Sequence, residues 1–405
     1  MRIRAFKALR PPAGLASVVA SVPYDVVNTE EARRLATGNP HSFLHVSRAE
    51  IDLPAGTDLY SDAVYEQAAT AFATFQKDGT LAREAQPSLY VYLQQMGKHV
   101  QRGVVACCHI EDYENNLIRQ HEKTLPSKEN DRARHIRDLN AQAGPVFVVF
   151  RDNSHINSIV AATEKTKALF DFTADDGVRH AAWRISGSHD MEAALEAVPR
   201  CYIADGHHRF AAAVKVGRER REANPNHTGH EEYNWVLAVL FPASQLQILP
   251  YNRVVLDLNK MQTNEFLDKV RGVFSLREVD QGTPAAKGLV HMYVSRKWYE
   301  LKLTTPQRPD APNLLDVSML QDHLLSPILG IDDPRTNKRI EFVGGLRSIA
   351  ELAHRVDSDR CAVAFSMYPV AMDDVMAYSD AGLIMPPKST WFEPKLRSGL
   401  FVHTL

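Results

Sequence analysis

The sequence predicts an α+β protein, a mixed sheet with helices over residues 1–255 followed by a smaller C-terminal α/β lobe over residues 256–405. Three observations predict it. Apolar runs of strand length come in close pairs, the clearest being 88–93 and 103–110, joined around Met96-Gly97-Lys98-His99 as a hairpin. Helical spacing puts Tyr60, Val64, Ala68, Ala71, Phe72 and Phe75 on one face of a segment that stops at Asp78-Gly79. Beyond Leu256 the pattern starts afresh, with a helix through 266–270, a hairpin of 290–294 and 298–301, and a helix over 317–329.

A chain of 405 residues, 44% hydrophobic, can bury the cores of two domains. Its formal net charge of -2 supplies no global basic field, so neither nucleic acid nor a membrane is an expected partner. No apolar run reaches the length that spans a bilayer. Cys107, Cys108, Cys201 and Cys361 form neither a disulfide framework nor a zinc spacing, and a cytoplasmic location is expected. The first ten residues are basic and acid-poor like a transit peptide. Pro11, Pro12 and Pro23 interrupt that pattern, and Ile3 and Ala5 alternate as in a strand.

Along the chain, Asn28 precedes a helical stretch and Glu31 stands at the capping-box position. Residues 39–48 read as a turn into a strand. Asp25, Glu30, His45 and Arg48 stand near element ends, where sites are usually assembled, although capping and solvation explain them as well. The run 119–140 is dense in both charges. Such a run is usually a solvated face, but Arg119, His121, Glu122 and Lys123 precede a proline-limited turn and a helix carrying Arg132, Arg134, Arg137 and Asp138. That cluster suits a triphosphate, a magnesium ion or the charged ends of an amino acid. A helix over 156–170, a strand over 182–185 and a short helix over 190–195 follow.

The stretch 201–213 is the strongest candidate. Tyr202, Ile203 and Ala204 read as the end of a buried strand, Phe210 to Val214 as a helix opening, and Asp205 as its cap. Gly206 marks a bend at which an anion can approach the backbone and the helix N-terminus. His207, His208 and Arg209 crowd that anion hole, Arg209 with a fixed fork of donors. A purely structural capped helix start is the competing reading. His227, His230 and Glu231 resemble loose metal ligands but read better as a solvated loop, so no metal ligands are assigned. Residues 235–241 and 246–255 read as paired strands, with Asn252 and Arg253 facing the cleft. A polar, aromatic tail over 386–399 places Lys388 where it can close over an anion.

Asp205-Gly206-His207-His208-Arg209 resembles the phosphate-holding signature of the ParB/sulfiredoxin superfamily, which includes free serine kinases. His207 falls where sulfiredoxins carry their catalytic cysteine, so redox chemistry of that kind is not implied. Val22 to Asn28, Asn39-Pro40, Phe43 to Val46, His121-Glu122-Lys123-Thr124, Asp131-Arg132 and Gly144-Pro145-Val146-Phe147 resemble stretches of the bacterial family called domain of unknown function 1015. The resemblance implies a ParB/sulfiredoxin-like nucleotide-binding domain and a nucleotide-dependent kinase using ATP or ADP with Mg2+. Its acceptor would be a hydroxyl of a free serine-like amino acid or similar metabolite. On that reading Asp205, Gly206, His207, His208, Arg209, Lys123 and Arg132 hold phosphates. Glu122, Asp25 or Glu30 is the base, His207 and His208 assist, and His121, Arg134, Asn252, Arg253 and Lys388 meet the substrate. Two other classes stay open: a ParB-like nucleotide switch for DNA or a protein partner, and a metal-dependent hydrolase or phosphatase using Asp205, His207 and His208.

Overall fold

The computed structural model describes residues 1–303, 312 and 315–405. They divide into two compact units, Met1–Leu246 together with Pro394–Leu405, and Gln247–Glu393.

Nine strands form the large sheet of the first unit among the described residues: β1 (Ile3–Arg4), β2 (Tyr90–Met96), β3 (His99–His109), β4 (Ile118–Arg119), β5 (Val146–Phe150), β6 (Phe170–Thr173), β7 (Arg179–Arg184), β8 (Cys201–Asp205) and β9 (Trp235–Pro242). Their order is β4-β8-β5-β9-β3-β2-β7-β6, with β1 paired to β3. The β4/β8 and β5/β9 pairs are parallel and the others antiparallel, so the sheet is mixed. Its central strands are buried on both faces, which is why β5 and β9 read as continuous apolar runs.

Four helices position the site: α1 (Thr29–Ala36), α2 (Asp62–Lys77), α3 (Pro126–Leu139) and α4 (His207–Ala223). The Asn28 side chain accepts from Glu31 N and the Glu31 carboxylate accepts from Asn28 N, each at 2.9 Å, closing the capping box at α1. Pro126 opens α3, where a missing N–H costs nothing. On α4 the run Phe210-Ala211-Ala212-Ala213 combines high helix propensity with small side chains, and Phe210, Ala213 and Val214 pack against Val148, Ile203 and Val236 of the sheet. Full burial of Phe210 alone contributes about 2–3 kcal/mol.

The second unit carries a six-stranded antiparallel sheet among the described residues, in the order Ser275–Val279, Lys297–Lys302, Leu289–Val294, Val363–Met367, Tyr251–Val255, Ile340–Gly344. The expected helix over 317–329 is a short α-helix, Asp316–Leu320, that widens into a π turn at Gln321–Leu325.

Four expectations change. Residues 235–241 and 246–255 do not pair with each other, because Pro242 and the turn Ala243–Gln245 end β9 and Tyr251–Val255 joins the second sheet. That pairing moves the boundary from 255 to 246. The residues from 394 onward belong to the first unit, where His403–Thr404 pairs with Ala141–Gln142 and Ser398 bridges Ser21. Residues 39–48 contain a helical turn, Leu44–Ser47, rather than a strand. All four cysteines are buried free thiols, and among the described residues no helix is long and apolar enough to cross a membrane.

Candidate functional site

Gly206 caps α4 at φ 89°, a left-handed conformation cheap only for glycine, and α4 begins at His207. Asp205 is therefore not the cap expected from the sequence. Its carboxylate lies 3.5 Å from Lys395 Nζ and 3.6 Å from Arg209 Nη2. Burial works against ionisation, but Lys395 and Arg209 outweigh it and hold the carboxyl well below the ordinary range.

The parallel β4/β8 pair sets Ile118 against Cys201 and Arg119 against Tyr202, so the loop that follows β4 runs beside the β8–α4 turn. This brings the two candidate stretches together. His121 meets His207 edge to face, ring centroids 4.5 Å apart, and donor atoms of His121, Glu122 and His207 all lie within 4.8 Å of one another. Both imidazoles are buried. Burial pushes His121 down to about 4, against the pull of the Ile203 backbone hydrogen bond and of Asp205, and it pushes His207 well below the usual histidine range. Both are neutral at pH 7, and His207 Nε2 is buried without a hydrogen-bond partner. His208 does something else: its Nε2 accepts from Leu125 N at 3.0 Å and ties the start of α3 to α4. Further along, Lys215 meets Asn130 and Arg137 meets Glu219, so α3 and α4 run parallel with their N-termini together. Aligned helix N-termini favour an anion nearby.

Two cavities share the wall formed by Tyr24, Ser47, Arg132 and His135. The first has about 500 Å³ of empty volume and is lined by Gly144, Val236 and Ser398 besides Arg132 and Arg209. Among its described lining residues those two arginines carry the charge, and no carboxylate is present. Arg132 stacks on Tyr24 with Cζ 4.0 Å from the ring centroid and pairs with Asp131 at 2.9 Å. Arg209 is 9% exposed; one terminal nitrogen donates to Pro145 O, while Nε and Nη2 make no hydrogen bond. Buried charged donors left this way cost at least about 1–3 kcal/mol. The second cavity, about 480 Å³, is lined by Tyr60, Tyr65, Arg48, Glu50, Lys128 and Asp131 in addition to the shared wall.

The other sequence candidates lie elsewhere. Lys123 is exposed in the loop between β4 and α3. Arg134 turns to α2, stacking on Tyr65 at 4.1 Å and pairing with Asp62 and Asp138. Asp25 and Glu30 are exposed and line neither cavity, although Asp25 is near enough that its charge, after burial, helps hold the Tyr24 phenol above its ordinary range. Asn252, Arg253 and Lys388 belong to the second unit. Asn252 Oδ1 accepts from Met367 N at 3.0 Å, Arg253 donates to Lys388 O at 3.2 Å, and Lys388 Nζ stands 5.8 Å from the Tyr251 ring centroid. His227 and Glu231 fasten their own loop, as the solvated-loop reading expects.

Lys395 and Ser398 were missed, as was the buried Glu50, which pairs with Arg48 at 2.8 Å. Little in the sequence signalled Glu50, because its stretch also holds the polar residues His45, Ser47, Arg48 and Asp52.

No curated protein matches the sequence. Similar solved structures include a conserved hypothetical protein from Pyrococcus furiosus at 14% identity, covering 75% of this chain and 95% of that one, with a TM-score of 0.38. A free serine kinase in complex with AMP is similar at 12% identity over 74% of this chain and 91% of that one, TM-score 0.38. SbnI with C-terminal truncation from Staphylococcus aureus is similar at 11% identity over 74% and 87%, TM-score 0.37. The family model described as "Protein of unknown function (DUF1015)" matches residues 3–321, most of the chain, and the protein belongs to that family.

Proposed function

We propose that the protein is a nucleotide-dependent kinase that transfers a phosphoryl group from ATP or ADP to a hydroxyl of a serine-like free amino acid or similar metabolite. One observation carries the reading. Arg132 and Arg209 line a single cavity without a facing carboxylate among its described lining residues, and two buried guanidinium nitrogens of Arg209 make no hydrogen bond. A phosphate offers several oxygens to such a fork, and phosphoryl transfer needs mainly positioning and neutralisation of charge.

The ParB/sulfiredoxin-like reading of Asp205-Gly206-His207-His208-Arg209 supports the same placement of phosphates. Magnesium prefers carboxylate oxygens, and Asp205 supplies them beside the turn; the ion would neutralise phosphate charge. Of the three candidate bases, Glu122 is the one gathered with His207, so it accepts the acceptor hydroxyl's proton in this scheme, with Asp25 and Glu30 the alternatives. Lys123, exposed in the adjoining loop, adds positive charge.

The test is turnover of ATP or ADP with Mg2+ against free amino acids and small hydroxyl metabolites, read by phosphorus NMR, beside calorimetric nucleotide binding. A new phosphomonoester signal, with binding lost in a folded Arg209→Ala variant, is expected. Nucleotide affinity unchanged in that variant overturns the reading.

A further inference from the structure

Phosphate binding does not account for the pair of buried imidazoles, His121 and His207, beside Glu122. We propose that His121, Glu122 and His207 bind one divalent transition-metal ion of the zinc class. Their donor atoms already lie within 4.8 Å of one another. His207 is 6% exposed and its Nε2, buried, makes no hydrogen bond, so that nitrogen is not engaged by another group and can serve as a ligand in the tautomer protonated at Nδ1. The sequence supplies no local reason to bury a histidine at the first position of α4.

The donor set selects the class of ion. Two imidazoles and one carboxylate suit zinc and its neighbours in the first transition row and leave a coordination position open. Magnesium prefers oxygen and retains water, so this site is chemically distinct from one that would accompany a nucleotide. At bond lengths of about 2.1 Å a tetrahedral ion sets its ligand atoms roughly 3.4 Å apart. Rotation of the half-buried Glu122 side chain closes the remaining gap. The ion would join the loop after β4 to the first turn of α4, adding to the β4/β8 register and the Leu125–His208 hydrogen bond.

His227, His230 and Glu231 are a poorer set. His227 Nδ1 bonds the Tyr233 hydroxyl at 2.9 Å, and Glu231 accepts from Thr228 N at 2.6 Å and Gly229 N at 2.9 Å. The lone pairs of His227 Nδ1 and of the Glu231 carboxylate are thus engaged within the loop.

The inference goes beyond the kinase reading and does not depend on it; with Glu122 on the ion, the role of base in that reading passes to Asp25 or Glu30. The full-length protein, stripped with a chelator, is titrated with Co2+ and followed by its visible d–d absorption, with Zn2+ competition by calorimetry. One equivalent of Co2+ is expected. Binding should disappear in His207→Ala, weaken by at least about tenfold in Glu122→Gln and persist in His230→Ala. A folded wild type without saturable Co2+ uptake overturns the proposal, as does uptake that survives His207→Ala. If His207→Ala does not fold by circular dichroism, the near-isosteric Glu122→Gln decides alone, and wild-type affinity there is fatal. Nucleotide binding is measured separately on the stripped protein, so failure of the kinase reading leaves the Co2+ result standing.

Discussion

Arg209 folds back beneath Gly206, so that a Cβ built on the glycine would stand 2.9 Å from the arginine Nε and 3.0 Å from its Cζ. Gly206→Ala therefore meets two penalties, a backbone at φ 89° and a displaced guanidinium. The variant should lose about 1–3 kcal/mol of stability in thermal or urea unfolding. It should also bind nucleotide at least about tenfold more weakly, equivalent to about 1.4 kcal/mol. Wild-type nucleotide affinity in a destabilised variant would separate Arg209 from the ligand.

Tyr24 holds the Arg132 guanidinium from one face while Asp131 holds its edge. Removing the ring in Tyr24→Leu forfeits a cation–π contact worth about 0.5–2 kcal/mol. Calorimetry should show nucleotide affinity falling by about twofold to thirtyfold with the fold intact. No change would mean that Asp131 alone positions Arg132.

The tail that carries Lys395 is anchored by aromatic packing. Phe401 is 1% exposed, with ring centroids 4.9 Å from Tyr90, 6.0 Å from Phe170 and 6.2 Å from Tyr92. Phe401→Ala should cost about 3–5 kcal/mol in urea denaturation. A loss below about 1 kcal/mol would show that the tail contributes little to the core.

Two histidines away from the His121–Glu122–His207 cluster predict acid sensitivity. Burial, then the charge of Arg132, pushes His135 down to about 4; burial, then Arg397, pushes His180 down to about 3. His180 Nε2 accepts from Arg397 at 3.2 Å, a bond that protonation removes. Both folded values lie below the unfolded value of about 6.5. The unfolded chain thus binds more protons across the interval, and stability is complete above pH 6.5 and is lost as pH falls toward 4 and then 3. The maximum slope is about 1.4 kcal/mol per pH unit for each histidine. Urea midpoints at pH 7, 6 and 5 should fall in that order, and a flat series would contradict the buried neutral assignment.

The legible parts of the molecule were those written in neighbouring residues. The Asn28/Glu31 box, the β2/β3 hairpin, the apolar face of α2 and the strand–glycine–helix turn each depend on a few adjacent positions. Strand partnership does not. β-propensity describes fit to a half-buried surface and does not name the neighbour, so Tyr251–Val255 looked like a partner of β9 although it joins another sheet. The stretch around Phe43 to Val46 was too short for its period to separate strand from helix. At the site, the sequence pointed to the Asp205–Arg209 turn and the His121–Lys123 loop but offered no sign that Lys395 faces Asp205. Nor did it show that Arg134 is occupied by α2.

Lys395 and Asp205 are 190 positions apart, and the whole of Gln247–Glu393 is spelled between the two pieces of the first unit. Assembly therefore has an order imposed by synthesis. While a ribosome is still translating the intervening unit, the large sheet has all nine strands but lacks the aromatic anchor of Phe401 and the ammonium group opposite Asp205. Such a nascent intermediate must wait with an exposed apolar seam, in the manner of long-range contacts that form late and slowly. The protein is built so that the Asp205–Lys395 pair at the start of α4 is completed only after the second unit has been made.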